Sequence, residues 1–401
     1  MSKLQDLIQE LCPNGVEYKK LGNVCELSRG KVYSKEYIRD NKGEYPLYSS
    51  QTANDGELGK ISTYDYDGEF LTWTTDGAYA GTIFYRVGKF SITNVCGLIK
   101  IKTEDINIRF LYFWLSLKAK DYVNQGMGNP KLMSNQIALV PIPVPPLPVQ
   151  EEIVKILDRF AVYTAELQAE LQARKEQYEY YRNLLLNFNH AYGAADDQQK
   201  KSVTTWGGHS YEIQWKTLGE IGEICMCKRI LKNQTNTTNG IPFYKIGTFG
   251  KKPDAYISKE LYIEYKSRYS FPKKGEILIS ASGTIGRTVI YDGNDAYFQD
   301  SNIVWISNSE EIVLNKYLYH YYKIVEWYVE GGTIKRLYNT NISKTRIPIP
   351  PLELQERIVA ILDKFETLVN DLSQGLPAEI AAVQEQYEYY RNKLLTFKQV
   401  A

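Results

Sequence analysis

Apolar and aromatic side chains recur at Ile153, Leu157, Phe160, Leu167, Leu171, Tyr178, Tyr181, Leu185 and Phe188. With Thr164 and Arg174 filling the gaps, the steps alternate four and three, the seam of a coiled coil. The pattern predicts one long helix over 149–188. A second seam runs through Ile358, Leu362, Phe365, Val369, Leu372, Leu376, Ile380, Val383, Tyr387, Tyr390, Leu394 and Phe397. Its steps run 4,3,4,3,4 and then 4 again, a stutter at Leu376–Ile380, and Gly375 and Pro377 sit beside it, so a kink or break is expected there. Between the seams the period changes. Short β-rich runs punctuated by glycine lie at 69–74, 82–87 and 95–101, and again at 276–280, 288–291 and 302–306. Aromatic helices are predicted over 108–123 and 314–329, each followed by a proline-rich elbow, from Pro141 and from Ile347. Such elbows suit polyproline-binding partners, but before a long helix a stiff hinge is the better reading.

The pattern is duplicated. PPLPVQEEIVKILDRF (Pro145–Phe160) returns as PPLELQERIVAILDKF (Pro350–Phe365), and QYEYYRN (Gln177–Asn183) returns unchanged at Gln386–Asn392. VEYKKLG (Val16–Gly22) answers IQWKTLG (Ile213–Gly219), and Lys131-Leu132 answers Arg336-Leu337. Two units of roughly 200 residues are too long for a solenoid, so each should be a domain plus an appendage. The expected division is 1–145, a first domain; 146–190, a helical spacer; 191–350, a linker and second domain; and 351–401, a second spacer. The fold class is α/β (α+β): two mixed α/β domains joined by two long helices that pair as an antiparallel coiled coil, with an internal pseudo-two-fold repeat.

Charge sharpens this division. The 401 residues carry 48 Lys+Arg and 47 Asp+Glu, a net charge of +1, which excludes a bulk polycation coating nucleic acid. The whole conceals a contrast: residues 1–145 sum to +1 and 201–350 to +6, whereas 146–200 and 351–401 each sum to −3. Tyrosine outnumbers phenylalanine, 33 to 13, which favours half-exposed contact surfaces. No apolar run reaches the roughly 18 residues of a membrane span, and Met1–Leu11 lacks a signal peptide's apolar core. Five cysteines (Cys12, Cys25, Cys96, Cys225, Cys227) are too few and too odd for a disulfide scaffold. A soluble, cytoplasmic chain is the expectation.

Catalytic chemistry is not legible. His190, His209 and His320 are scattered, and Cys225 and Cys227 stand too close for the usual zinc pairing. Gly283–Thr288 only superficially matches a phosphate loop, and no adenine-methyltransferase Asn/Asp-Pro-Pro-aromatic motif occurs. No catalytic, cofactor-binding or metal-binding residue is assigned.

Two unlike domains on like helices suit a reader of two different things through one frame, and duplex DNA, locally two-fold, fits that plan. Base reading needs Arg/Lys, Asn/Gln and Ser/Thr at groove edges. In the first domain the candidates are Ser50, Gln51, Thr52, Thr74, Thr75, Tyr79, Asn129 and Lys131. In the second they are Lys228, Arg229, Lys245, Lys251, Lys252, Ser280, Ser282, Thr284, Arg287, Lys335 and Arg336. Solvent loops have the same composition, so the paired placement of Lys131 and Arg336 upstream of the elbows carries most weight. A carbohydrate- or protein-binding module on a coiled-coil stalk is the alternative.

PPLxxQxxIVxILDxF twice, QYEYYRN twice and LxPNGVEYKKLG at Leu11–Gly22 resemble the specificity subunit of type I restriction–modification enzymes. Thr164–Leu167 followed by Gln168–Leu171 looks like the tetrapeptide repeat of one branch, whereas Ser373–Pro377 departs from it in the second helix. The resemblance implies a non-catalytic subunit whose two target recognition domains each read half of a split, asymmetric double-stranded DNA site. It implies two methyltransferase (M) subunits carrying S-adenosylmethionine and restriction (R) subunits using ATP, with no cofactor in this chain. The helices would set the spacing and dock the M subunits.

Overall fold

A computed structural model describes residues 2–126, 128–188, 201–331 and 335–400 of the chain. His190 and the linker expected from 191 to 200 lie outside the described residues. The chain forms two compact units, Met1–Gln168 with Glu379–Ala401, and Ala169–Ala378. The first spacer helix runs unbroken over Leu147–Leu186, giving its first half to one unit and its second half to the other.

In the first unit a six-stranded sheet has the spatial order Cys25–Arg29, Cys96–Ile101, Tyr66–Thr74, Ile83–Ile92, Lys42–Tyr48, Glu57–Ile61. Neighbours are antiparallel except Lys42–Tyr48 beside Ile83–Ile92. The predicted strands at 69–74, 82–87 and 95–101 fall within this sheet. Gly97 lets Trp73 lie flat on its backbone: a Cβ there would meet the indole at 2.3 Å. Trp73 Nε1 donates to the Leu132 carbonyl at 2.9 Å, which anchors the segment ahead of the elbow. Glu17–Lys20 pairs antiparallel with Pro141–Val144, tying the first repeated motif to the elbow. The predicted helix 108–123 is helical over Ile108–Lys118 and tightens to a 3-10 turn at Ala119–Tyr122. Its Phe110, Leu111 and Leu115 meet Val149, Ile153 and Leu157 of the spacer helix in one core.

The second unit repeats these ideas with other residues. A four-stranded sheet has the order Glu223–Met226, Ile303–Ser307, Ile277–Ser280, Thr288–Ile290. Two three-stranded sheets flank it, and in one of them His209–Thr217 pairs with the elbow strand Arg346–Ile349. The helix expected over 314–329 is shorter, Asn315–Tyr321, because its last turn closes through i→i−3 bonds from Lys323 and Ile324. Tyrosine is also used otherwise than expected. Tyr291, Tyr297 and Tyr317 are buried, and their hydroxyls donate to the carbonyls of Asn294, Lys228 and Pro348 at 2.7–3.0 Å. The ring fills core volume while the hydroxyl satisfies a backbone acceptor that phenylalanine would leave bare.

The helix seams are as patterned, with one exception. In the first unit the Phe160 ring stacks on Tyr390 and tilts over Tyr387, while Tyr163 Oη donates to Glu379 at 2.6 Å. A later residue of one helix meets an earlier residue of the other, so the pair is antiparallel. In the second unit Phe365 stacks on Tyr181 and lies against Tyr178, the same motif residues with partners exchanged. The second spacer is two helices, Leu352–Asn370 and Leu376–Leu394, broken where glycine and proline predicted. Leu372 is therefore not a seam residue: it sits in the turn and is 83% exposed. Asp371 Oδ1 takes up the amides of Ser373 and Gln374, and a Cβ on Gly375 would lie 2.4 Å from the Thr367 carbonyl.

The shared glutamine of the duplicated PPLxxQ motif joins elbow, helix and domain. Gln150 is fully buried; Nε2 donates to the carbonyls of Pro145 and Asp105 at 2.7 Å, and Oε1 accepts from Asn107 N at 2.8 Å. Gln355 does the same with Pro350 and Ile312 (2.7 and 2.9 Å) and Leu314 N (2.8 Å). Replacing either glutamine by leucine keeps the volume but strands three buried backbone groups. Urea unfolding is expected to show a loss of about 2–4 kcal/mol in the unit concerned. A change within about 0.5 kcal/mol, the range of ordinary surface substitutions, would reject this role.

Candidate nucleic-acid interface

Lys131 and Arg336 occupy the same construction in the two units. Lys131 exchanges backbone hydrogen bonds with Asn124 (2.8 and 3.0 Å), and Leu132 N donates to Thr75 O at 2.9 Å. Arg336 exchanges them with Glu330 (3.0 and 2.8 Å), and Leu337 N donates to Ala281 O at 2.9 Å. Thr75 and Ala281 each follow the last residue of a sheet strand, Thr74 and Ser280. Each loop then turns back through a positive-φ glycine, Gly81 or Gly286, whose amide returns to Thr74 O or Ser280 O at 2.9 Å. Two unlike sequences thus build one frame: a strand end, a polar loop, and a basic residue pinned on both sides.

Within the first frame, Lys131 Nζ lies 3.7 Å from one oxygen of Asp76. Arg29 Nη2 donates to Thr75 Oγ1 at 2.7 Å and to the other Asp76 oxygen at 3.3 Å. Of the predicted residues, Thr75 and Lys131 therefore meet. Tyr79, 60% exposed, and Asn129, also exposed, lie on the loops beside them. Ser50, Gln51 and Thr52 are half-buried in a separate turn, where Gln51 Nε2 donates to Glu57 O.

In the second unit three successive residues gather the basic groups. Asp300 accepts from Arg229 Nε at 2.8 Å, Ser301 Oγ from Arg336 Nη2 at 2.9 Å, and Asn302 Oδ1 from Ser282 Oγ at 2.8 Å. A cleft of about 610 Å³ lined by Arg229, Lys232, Lys245, Gln299 and Asn302 opens beside them. Lys245 pairs with Asp254 across it at 2.9 Å. Lys228 Nζ lies 5.1 Å from the Tyr269 ring centroid. Lys251, Lys252, Thr284 and Lys335 are exposed, and Arg287 is turned inward, Nη1 donating to Phe249 O at 2.9 Å.

Three expectations need correction. Thr74, Thr75 and Ser280 are buried, at 0–1% exposure, and cannot present a hydroxyl to a groove. Ser280 Oγ accepts from Arg287 N at 2.9 Å and Thr75 Oγ1 from Arg29, so they brace the loops from behind. Arg29 and Asp76 belong to the basic cluster but not to the expected set. The only signal for Arg29 was a strand ending in a base before Gly30.

One group of possible metal ligands occurs among the described residues: His320, Asp363 and Glu366. Cations already serve it. Lys316 pairs with Asp363, Lys323 Nζ lies 2.7 Å from Glu366, and His320 Nε2 faces Asp363 at 2.9 Å. Burial holds the fully buried His320 below its ordinary pKa, against the pull of Asp363 and Glu366. Burial works against Asp363, but Lys316 and His320 hold its carboxyl below the usual range. Two lysines thus balance the two carboxylates of the cluster.

Comparison with known proteins places the chain. The family model described as "Type I restriction modification DNA specificity domain" matches residues 13–177 and 212–382. The chain belongs to this family. A Haemophilus influenzae chain named as a type I restriction enzyme specificity subunit is 48% identical over 395 residues, 95% of this chain and 96% of that one. A Mycoplasma pneumoniae chain named as a type I specificity subunit is 32% identical, covering 94% and 96%. The crystal structure of the S subunit of a type I restriction–modification system from M. genitalium superposes with a TM-score of 0.54 at 13% identity. It covers 94% of this chain and 96% of that one, a likeness of fold. Among the described residues no helix is long and apolar enough to cross a membrane.

A depressed histidine pKa means that the unfolded chain takes up a proton the native state excludes. The stability tied to His320 is thus complete above pH ~6.5 and lost as pH falls through and below it, with the Asp363 contribution following below pH ~4. Hydrogen-exchange protection in segment 315–323, with the intrinsic pH dependence of amide exchange divided out, should fall from pH 7 to 5.5. His320→Phe, the residue found at the equivalent Phe113, should remove that fall. An unchanged profile in the variant would assign the effect elsewhere.

Proposed function

We propose that this chain is the non-catalytic DNA sequence-specificity subunit of a type I restriction–modification complex, acting in the cytoplasm. Each head, 1–145 and 191–350, reads one half of a bipartite, asymmetric site. The helices 146–190 and 351–401 set the distance between the halves and dock two methyltransferase subunits, with restriction subunits joining the assembly. The observation that carries this reading is the duplicated frame around Lys131 and Arg336. Unlike loop sequences carry basic and amide groups on one scaffold, which is what two different base sequences require of two similar modules. S-adenosylmethionine and ATP chemistry belongs to the partner subunits in this reading.

Among the sequence candidates, Tyr79, Asn129 and Lys131 in the first head, and Arg229, Lys245, Ser282, Thr284, Lys335 and Arg336 in the second, are the proposed contacts. Lys228, Lys251 and Lys252 suit phosphates, which position the duplex without reading it. Ser50, Gln51 and Thr52 are proposed as a separate contact of the first head.

Methylome sequencing after co-expression with a methyltransferase partner tests the reading. Lys131→Ala should weaken one half-site and Arg336→Ala the other, by about 1–3 kcal/mol where a base edge is touched. Loss at both halves, or at neither, contradicts the assignment. Deleting Thr164–Leu167 removes roughly 6 Å of helix, one to two base pairs of rise. The methylated motif should keep both halves and shorten its gap; an altered half-site would refute the spacer role.

A further inference from the structure

An acid at a DNA-facing surface repels the backbone it must approach, so a carboxylate among the basic groups of both heads calls for a reason. In the first head Asp76 holds Arg29 at 3.3 Å, with side-chain exposures of 22% and 32%. In the second Asp300 holds Arg229 at 2.8 Å, with exposures of 17% and 67%. In each pair the acid is the less exposed side chain; Arg229 is largely open, whereas Arg29 is partly sunk, its Nε buried and its Nη1 facing Met133 Sδ at 4.0 Å. The pairs are not copies. Asp76 lies in the loop after strand Tyr66–Thr74, whereas Asp300 lies in the loop before strand Ile303–Ser307. Arg29 ends its strand, whereas Arg229 lies three residues beyond Met226. Two unlike loops have reached one arrangement: an arginine at the same end of the sheet, backed by a half-sunk carboxylate.

We propose that Asp76 and Asp300 are specificity latches, carboxylates that keep Arg29 and Arg229 from capture by any passing phosphate and orient them for the base edges of the correct half-site. A free guanidinium neutralises a phosphate on every sequence and lifts all affinities alike. A guanidinium already paired gains little from a phosphate, because forming one ion pair breaks another. It can still offer its remaining N–H groups to a purine edge, which carries no net charge and leaves the carboxylate in place. Asp300 engages Nε of Arg229, and five N–H donors exceed what one carboxylate can occupy. In the first head Thr75 Oγ1 fixes the same Nη2 of Arg29 that meets Asp76. Discrimination thus rises by weakening the wrong complexes.

The inference rests on the DNA-reading function proposed above. Its test measures the full chain, co-purified with methyltransferase subunits, on a duplex lacking the recognition site across a range of KCl concentrations. Asp76→Asn and Asp300→Asn should each raise this non-specific affinity roughly fivefold or more at physiological salt and steepen the log–log salt slope by about 0.9 per freed cation, one for Asp300 and as many as two for Asp76, which also faces Lys131 at 3.7 Å. Asp76→Glu should keep the wild-type slope, and R29A and K131A combined with D76N should return the slope to that of the R29A, K131A double variant. A merely structural carboxylate would lower affinity without steepening the slope. Methylome sequencing should show relaxed base choice in one half-site per variant. Unchanged or shallower slopes in both variants overturn the latch; if one variant fails to fold, the other decides. Absence of any salt-dependent duplex binding by the unsubstituted complex would instead overturn DNA reading itself.

Discussion

The structure depends on a buried side-chain amide used twice. Where a stiff proline elbow turns into a long helix, the carbonyl of Pro145 or Pro350 receives no helical amide, because the amides of Val149 and Leu354 donate to Pro146 and Pro351 instead, and the adjoining domain ends its own loop at the same place. Gln150 and Gln355 settle both accounts with one side chain each, two donors and one acceptor fully spent. The helix direction is thereby fixed relative to the domain it leaves by short polar bonds rather than by greasy contact alone. Leucine and isoleucine on the seam supply adhesion, as Ile153, Leu157, Ile358 and Leu362 do, but adhesion has little angular preference. The amide supplies the angle. That explains why a polar residue persists inside a motif otherwise built for packing.

Much of this was legible in the sequence because it is periodic. A heptad seam, β-rich runs punctuated by glycine and a duplicated string are one-dimensional signals, and the helices, sheet strands and break at Gly375 follow from them. The exceptions are also physical. Leu372 kept the seam spacing, but the turn closed by Asp371 lifted it out. The helix after Leu314 ended early because its last turn tightened, something apolar spacing does not encode. Gln150 was visible as a letter of the motif, yet its three bonds run to backbone groups, which have no sequence signature.

The candidate interface was half legible. Lys131 and Arg336 stood out because duplication marked them. Arg29 did not, since its partners Thr75 and Asp76 lie 46 and 47 residues away and only the sheet brings them together. Polarity in a glycine-rich loop also failed to distinguish a reader from a brace: Thr74, Thr75 and Ser280 have the right chemistry and the wrong exposure. Loop composition reports which groups are available, and only burial reports which way they are spent.

The two units solve the same packing problem with different chemistry. Counted from the amide that each glutamine holds, Phe113 stands where His320 does, and counted from the glutamine itself, Ala161 stands where Glu366 does. Arg109 with Asp158 answers Lys316 with Asp363, but the pairing of Lys323 with Glu366 has no counterpart in the first unit. The basic member of that extra pair belongs to the domain and the acidic member to the helix. A domain grafted from another lineage onto this helix would therefore inherit an orphan acid unless it brought its own cation. A graft that brings its own cation, or that carries the helix through residue 366 along with the domain, avoids that cost.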